Sequence, residues 1–272
     1  METLQSKELK LQKITPNLGV TILDIDPNAA MDHKTAKEID MLINTHHLVL
    51  MKSDKPIERE AQVNLTKQLG EPWRYDYIPG QYKDYPEIFK VTNQKGNGFT
   101  NAGQVWHSDG SIYNKRMHLS IFSIDKIPID GASTYFSNLN YAYERLPDTM
   151  KQRLSTLEGN FGKMYRSHPV VWKHPITRID LLHISEGFKN GFIDGANSNS
   201  LSFDESQEIH RFLNNHMWKE NTYYEHKWKL GDLVIADNYA VAHLAKPNYS
   251  NTLRVLHRTA TKGEKRAKRD ET

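Results

Sequence analysis

The alternation of apolar and polar positions along the chain predicts many short strands and a few helices. Apolar residues recur three or four positions apart in several segments, which is typical of amphipathic helices. These segments are Lys34–Asn44, Pro56–Leu69, Asn138–Thr156 (where Pro147 starts a second helix) and Phe203–His216. Runs rich in β-branched and aromatic residues predict strands. These runs are Ile14–Ile25 with an internal turn, His47–Lys52, Glu87–Thr92, His118–Ile124, Ala132–Phe136, Leu181–Ser185, Tyr223–Trp228, Leu233–Ala236 and Leu253–Ala260.

The order of these elements predicts the fold class. It lacks the regular alternation of strand and helix that a parallel doubly wound sheet requires. We therefore expect a mostly β fold with α insertions, built as a single domain over residues 1–261 around a β-sandwich or barrel core. The segment 262–272 carries five basic and three acidic residues, so we expect a charged, disordered tail there. Residues 162–176 lack a clear period and predict an irregular excursion.

Composition mainly argues against certain partners and locations. The net charge of +3 comes largely from the tail, so a near-neutral body predicts no nucleic-acid partner. No apolar run approaches the ~20 residues of a membrane span, and the polar start METLQSKELK predicts no secretory signal. We expect a cytoplasmic protein that meets a small-molecule substrate and no membrane. An assembly of identical chains is compatible with this composition.

His107 and Asp109, in the stretch QVWHSDGSIY, are the first candidates for metal ligands. Residues two positions apart in an extended chain point to the same side, so the imidazole and the carboxylate would converge. The chain has no cysteine, so any metal needs His, Asp or Glu ligands, which favours iron, manganese or zinc. Such a pair also arises by chance among 13 histidines. His243, after the apolar strand of LGDLVIADNYAVAHL, offers a third ligand.

Arg254 and Arg258 lie on the last predicted strand, in LRVLHRTA. They share parity and therefore face the same side of that strand. An inward-facing arginine is costly unless it meets an anion. The anion could be a protein carboxylate or a small dicarboxylic acid.

The ordered set of His107, Asp109 and His243, followed after ten residues by Arg254, forms the pattern H-x-D…H-x10-R. This pattern resembles the taurine dioxygenase-like (TauD/TfdA) family of Fe(II)- and 2-oxoglutarate-dependent oxygenases. The resemblance covers most of the chain. It includes Leu69-Gly70-Glu71, WHSDGS, Gly131 to Thr134, Glu186-Gly187-Phe188, GDLVIADN and RVLHRTATKG. It implies a double-stranded β-helix, or jelly-roll, core flanked by helices.

The resemblance also implies a reaction. His107, Asp109 and His243 would be the catalytic metal ligands that hold Fe(II) and leave open positions for 2-oxoglutarate and O2. The far carboxylate of 2-oxoglutarate would pair with Arg254, helped by the hydroxyl of Thr134. The cosubstrate would become succinate while a C–H bond of the substrate is oxidised, most simply to an alcohol. Related halogenases carry a small residue in place of the carboxylate, so Asp109 argues against halogenation.

For the substrate, the resemblance points first to Arg258. Taurine-processing members hold the sulfonate with an arginine at this position, which implies a small anionic substrate, amino-acid-like or a sulfonate. A pair with a protein acid is the alternative role of Arg258. Tyr75 aligns approximately with a histidine that contacts substrate in those members, a difference that argues against taurine itself. Asn101, Gln104 and Gly110 lie beside the ligands in sequence and are further candidates for substrate contacts.

Several alternatives stay open at this point. The same cofactors could support desaturation or isonitrile formation on an amino-acid derivative. The same three ligands could hold the zinc ion of a hydrolase, although Arg254 would then have no explanation. The chain could also be a non-catalytic β-sandwich binding module. Trp106 could shield the metal or simply fill the core. We expect the other strand histidines, His183, His226 and His257, to be packed or exposed residues that do not bind the metal.

Overall fold

Strands dominate the structure, a computed structural model that describes residues 9–100, 102–110, 115–160, 167–185, 190–247 and 252–265. In chain order the strands are β1 (Leu11–Lys13), β2 (Val20–Ile22), β3 (Leu48–Lys52), β4 (Phe89–Thr92), β5 (Lys115–Lys126), β6 (Ser133–Asn138), β7 (Leu157–Gly159), β8 (His168–Pro169), β9 (Val171–Lys173), β10 (Asp180–Leu182), β11 (Phe192–Asp194), β12 (Asn199–Ser200), β13 (Tyr223–Lys227), β14 (Asp232–Asp237), β15 (Val241–Ala245) and β16 (Val255–Lys265). The helices are α1 (His33–His46), α2 (Arg59–Leu69), α3 (Leu139–Glu144), α4 (Asp148–Ser155) and α5 (Phe203–Met217).

Two sheets position the candidate ligands. The larger has seven strands in the order β1-β2-β3-β14-β5-β16-β4, and the smaller has three in the order β13-β6-β15. All pairings in both sheets are antiparallel except that of β2 with β3. Apolar side chains of the two sheets meet in one buried cluster, with Phe122 and Val234 from the larger sheet and Phe136 and Val241 from the smaller. This contact places β15, which carries His243, against β5 and β16.

The outer face of the larger sheet is covered by α1 and α2. Ile39 and Ile43 of α1 and Leu65 of α2 are buried against the sheet, as their helical spacing predicts. Asp32 caps the start of α1 by accepting from the Thr35 main-chain N–H at 2.7 Å. The C-cap residue His47 ends the helix with a left-handed φ of 62°.

Residues between β6 and β13 form an excursion built on a separate apolar cluster. This part holds α3, α4, α5 and two small sheets, ordered β12-β11-β7-β8 and β10-β9. A capping box starts α5, because Ser202 and Glu205 satisfy each other's main-chain N–H groups. The cluster includes Leu139, Phe192 and Leu213, and Trp106 packs into it.

The structure confirms the predicted helices and the main predicted strands, and it corrects several boundaries. Residues 168–173, predicted to be irregular, contain β8 and β9. The helix expected from Pro56 begins at Arg59, because Pro56 lies before the N-cap residue Glu58. The last strand continues to Lys265, so residues 262–265 pair in the sheet and do not belong to a tail. Residues 266–272 lie outside the described residues. Among those described, no helix is long and apolar enough to cross a membrane.

Candidate active site

Three side chains that can bind a metal converge at the contact between the two sheets. His107 Nε2 lies 3.8 Å from Asp109 Oδ1, and His243 Nε2 lies 3.7 Å from Asp109 Oδ2. The two imidazole rings have centroids 4.3 Å apart. One ligand atom from each residue falls within 4.8 Å of the others, and no second such group occurs in the described part of the chain.

Main-chain pairing between two distant segments explains this convergence. His107 and His243 form an isolated antiparallel bridge, with N···O distances of 3.1 and 2.8 Å. Ser108, between the two ligands of its segment, points away from them and donates its hydroxyl to the carbonyl of Val241 at 3.1 Å. Asp109 is then returned to the same side as His107, as the two-residue spacing predicts.

The surroundings of His107 and His243 suit imidazoles that bind a metal through Nε2. His107 Nδ1 lies 2.8 Å from the Val105 carbonyl oxygen, so this nitrogen carries the proton and Nε2 keeps its lone pair. Burial, with a smaller contribution from the charge of His107, lowers the pKa of His243 to about 3. The ring of Phe122 packs edge-on against His243 at 5.1 Å. His243 is therefore neutral at neutral pH.

Asp109 is a buried carboxylate that stays ionised. Burial alone would raise its pKa, but Arg258 and the two histidines outweigh burial and lower the pKa to about 2. The Ser120 hydroxyl donates to Oδ2 at 2.7 Å and helps to orient the group.

Arg258 and Tyr75, the two main candidates for substrate contacts, lie beside the candidate ligands. The Arg258 guanidinium pairs with Asp109 Oδ1 through Nη1, and its Nη2 donates to the Tyr75 hydroxyl at 3.1 Å. The Phe89 ring lies 4.6 Å from the same guanidinium. Burial raises the pKa of Tyr75 to about 12, so its phenol keeps the proton. Of the two roles expected for Arg258, contact with a protein acid is therefore present in the structure.

Arg254 differs from Arg258 in its surroundings. Its guanidinium is half-buried, burial lowers its pKa, and no carboxylate within the described ranges pairs with it. Its main-chain N–H donates to Asn93 Oδ1 at 2.8 Å, which fixes the backbone just before β16. Thr134 is buried on β6, where its Oγ1 accepts from Trp228 Nε1 at 2.9 Å. This leaves the single hydroxyl proton of Thr134 for another acceptor.

The remaining candidates are spread around the site. Gln104 is exposed, Gly110 is half-buried with a φ of 62°, and Asn101 lies outside the described residues. Trp106 is 2% exposed and lies 5.0 Å from the ring of Trp218, within the apolar cluster of the excursion, which favours its role as a core residue. His183, His226 and His257 lie outside the ligand group, as predicted, and all three are buried.

Sequence reasoning missed three residues that contact the ligands directly. Ser120 binds the carboxylate of Asp109, and Asn238 binds its main chain. Gly103 approaches so closely that an added Cβ would lie 3.0 Å from His107 Cε1. The sequence indicated Asn238 only through its place in GDLVIADN, five residues before His243.

Comparison with known proteins agrees with this geometry. Residues 10–260 match the family described as "Taurine catabolism dioxygenase TauD, TfdA family". The chain belongs to the TauD/TfdA family. Membership makes it an oxidoreductase of the α-ketoglutarate-dependent dioxygenase type, with Fe(II) and 2-oxoglutarate as the implied cofactor and cosubstrate. His107, Asp109 and His243 form the group that could hold the metal.

Relatives within the TauD/TfdA family differ in what they act on. The chain is 26% identical to an alkylsulfatase from Acinetobacter baylyi, covering 95% of this chain and 86% of the relative. It is 25% identical to an α-ketoglutarate-dependent 2,4-dichlorophenoxyacetate dioxygenase from Cupriavidus pinatubonensis, covering 90% of this chain and 95% of the relative. A solved taurine dioxygenase from Burkholderia xenovorans shares the fold with a TM-score of 0.80 at 23% identity. The match covers 94% of this chain and 90% of that structure. The mostly β architecture with few helices is thus that of the family.

Proposed function

We propose that this protein couples the conversion of 2-oxoglutarate and O2 to succinate and CO2 with hydroxylation of a C–H bond in a small anionic substrate. The observation that carries the proposal is the convergence of His107, Asp109 and His243, in a chain whose half-buried Arg254 has no carboxylate partner among the described residues. Family membership favours this chemistry over the zinc hydrolase and the binding module that the sequence left open.

The donor set fits Fe(II). Two neutral imidazoles and one carboxylate, all on one side of the ion, are the ligands of non-haem Fe(II) oxygenases. Two metal–ligand bonds of about 2.1 Å span at most about 4.2 Å. The distances of 3.8 and 3.7 Å from Asp109 oxygens to the two Nε2 atoms lie within that reach. His243 and Asp109 are in the deprotonated forms that bind metal, and His107 Nε2 lies on the same side as the Asp109 carboxylate.

Arg254 and Thr134 fit a carboxylate of 2-oxoglutarate. An arginine that is half-buried without an acid nearby carries an uncompensated desolvation cost, which a bound carboxylate would offset. Since Thr134 already accepts from Trp228, its own hydroxyl proton is oriented outward as a donor. A cation and a neutral donor together suit one anionic group.

Arg258 and Tyr75 fit the substrate. The Arg258 guanidinium offers N–H donors next to the metal ligands, and the Tyr75 hydroxyl lies beside it. That hydroxyl donates to Met117 Sδ at 3.9 Å, a weak acceptor that an anionic substrate would replace. Phe89, which packs on the guanidinium, forms an aromatic pair with Phe99, with centroids 5.3 Å apart. The names of the relatives describe alkyl sulfates and a phenoxyacetate, which also join an anion to an apolar group. We therefore expect an anionic head, such as a sulfonate, sulfate ester or carboxylate, on a small apolar body.

The protein's own groups then have separate tasks. Bound iron, with 2-oxoglutarate and O2, supplies an oxidant able to break a C–H bond. His107, Asp109 and His243 hold the metal, and Arg254 with Thr134 orients the cosubstrate. Arg258 and Tyr75 orient the substrate, while Phe122 and Phe136 behind His243 keep water from that side. We also propose that the two facing sheets form a double-stranded β-helix core within a single domain.

A succinate assay tests the proposal. The purified protein should release succinate only with Fe(II), 2-oxoglutarate and O2, and most strongly with one member of a panel of alkyl sulfates, aryloxyacetates, sulfonates and N-substituted amino acids. The product should gain one oxygen atom in mass spectrometry. A product that has lost two hydrogens would show desaturation and contradict hydroxylation. Turnover with zinc in the absence of O2 would show a hydrolase and contradict the oxygenase.

A further inference from the structure

Asn238 binds both main-chain polar groups of the metal ligand Asp109. Its Oδ1 accepts from the Asp109 N–H at 2.7 Å, and its Nδ2 donates to the Asp109 carbonyl at 2.8 Å. We propose that Asn238 is a positioning residue that sets the coordination geometry of the metal through Asp109. This inference rests on the proposed metal site and assigns a task to a side chain that does not itself reach the metal.

The carboxamide of Asn238 is fully used and well buried. Nδ2 also donates to the Met117 carbonyl at 3.1 Å, at the start of β5, and the side chain is only 4% exposed. An amide is suited to this position because it offers one acceptor and two donors in a plane. Leucine or aspartate has the same approximate size but lacks the donors that Asp109 and Met117 need.

Asn238 completes a pairing of all three residues of the H-x-D segment with the segment that ends at His243. His107 pairs with His243 through the main chain, Ser108 binds the Val241 carbonyl, and Asp109 binds Asn238. Each residue of the ligand segment therefore has its own partner. Of these three pairings, that of Asn238 fixes the main chain that carries the carboxylate, while Ser120 and Arg258 bind the carboxylate oxygens.

The turn that carries Asn238 is itself held in place. Its main-chain N–H donates to the His118 carbonyl at 2.8 Å. The preceding residue, Asp237, is buried and accepts from the Tyr239 N–H at 3.0 Å and from His174 Nε2 at 2.8 Å. His174 Nδ1 accepts two main-chain N–H groups, so its proton resides on Nε2 and points at Asp237. The main chain of Asp109 is thus hydrogen-bonded to a side chain whose own backbone is fixed.

Removing the carboxamide should disturb the metal more than the fold. Without it, a buried N–H and a buried carbonyl of Asp109 lose their partners, and the main chain that carries the carboxylate can shift. Loss of such outer partners of metal ligands typically costs about 10- to 100-fold in metal affinity. We expect a change of this size for Co(II), used as a spectroscopic probe without 2-oxoglutarate or O2.

The experiment compares Asn238→Ala and Asn238→Asp with Asn138→Ala in the full-length protein. Asn138 is a matched control, because it is 6% exposed and its carboxamide also binds main-chain groups, at the start of α3. The measurements are the Co(II) dissociation constant, the visible spectrum of the Co(II) protein and the melting temperature of the metal-free protein. Both Asn238 variants should bind Co(II) at least about 10-fold more weakly with an altered spectrum, while Asn138→Ala keeps the wild-type affinity and spectrum.

Two results would overturn the proposal. One is a wild-type spectrum and affinity in Asn238→Asp, which keeps the side-chain volume and removes both N–H donors. The other is an equal loss of Co(II) affinity in Asn138→Ala, which would make the effect one of general stability. If the wild-type protein itself binds no Co(II), the proposed metal site fails before the role of Asn238 is in question.

Discussion

The main chains of His107 and His243 hydrogen-bond to each other in both directions, at 3.1 and 2.8 Å. The bridge joins a loop residue to a residue in the middle of β15, two positions far apart in the sequence. It sets the imidazoles side by side, with ring centroids 4.3 Å apart. Since backbone pairing fixes the spacing, changing one imidazole should remove a ligand without moving the other.

The first prediction concerns His107→Ala. The variant should keep its fold, because the bridge uses only main-chain atoms, and it should lose metal affinity by more than about 100-fold. Isothermal titration with Mn(II) measures the loss. His210→Ala, a half-buried histidine of α5, is the control and should bind Mn(II) like the wild type. Unchanged affinity in His107→Ala would place the metal elsewhere.

Arg254→Ala should separate cosubstrate binding from metal binding. Truncating one partner of a buried charge pair costs at least about 2 kcal/mol, so the KM for 2-oxoglutarate should rise by about 30-fold or more. The affinity for Mn(II) should remain unchanged, because no hydrogen bond or ion pair within the described ranges joins Arg254 to the three ligands. Succinate release at varied 2-oxoglutarate concentrations gives the KM.

The exposed Arg211 provides the control for this experiment. Arg211→Ala removes the same charge from α5 and should leave the KM for 2-oxoglutarate as in the wild type. Parallel losses of Mn(II) and 2-oxoglutarate binding in Arg254→Ala would contradict a specific cosubstrate role and point to a folding defect.

Much of the fold could be predicted because the chain obeys local rules. Ile39 and Ile43 recur at helical spacing and are buried, and the apolar run of Leu233–Ala236 lies inside the larger sheet. The strands that were missed are short, such as β8 and β11, and their pairing depends on partners distant in sequence. The strand β15 was missed because its residues are buried on both faces and therefore show no alternation.

The metal ligands could be predicted for a different reason from the residues around them. The two-residue spacing of His107 and Asp109 predicts that their side chains point to the same side. The ten residues between His243 and Arg254 complete the spacing pattern of the family. Asn238 and Gly103 act through main-chain contacts and close approach. Such contacts depend on how two segments meet in space, which no local spacing encodes.

Acid should destabilise the metal-free protein partly through His257. Burial lowers the pKa of His257 to about 4 from an ordinary value of 6.5, and the Tyr82 hydroxyl lies 3.0 Å from its Nε2. Between these two pH values the unfolded chain binds a proton that the folded chain does not, so stability falls as the pH falls. One such proton corresponds to a slope of about 1.4 kcal/mol per pH unit.

Urea unfolding between pH 7 and pH 4 checks this expectation. His257→Gln should show a shallower dependence of unfolding free energy on pH than the wild type, by up to one proton. His33→Gln, at the exposed first position of α1, should keep the wild-type slope. Identical slopes in all three proteins would mean that His257 titrates alike in the folded and unfolded chains.

Gly103 and Gly96 allow a test of how closely the loop must approach His107. Both have left-handed φ values, 71° and 83°, so alanine strains each backbone to a similar degree. A Cβ on Gly103 would lie 3.0 Å from His107 Cε1 and 3.6 Å from Nε2, whereas one on Gly96 would have nothing within 4 Å. Only Gly103→Ala should therefore displace the imidazole.

The two alanine variants should consequently differ in metal binding and agree in stability. We expect each to lower the unfolding free energy by about 1 kcal/mol, from the strained backbone. Gly103→Ala should in addition weaken Mn(II) binding by about 10-fold, as a displaced ligand does, and Gly96→Ala should not. Titration calorimetry beside urea unfolding separates the two effects. Equal Mn(II) affinities would show that the loop yields to the added methyl and that Gly103 is needed only for its backbone conformation.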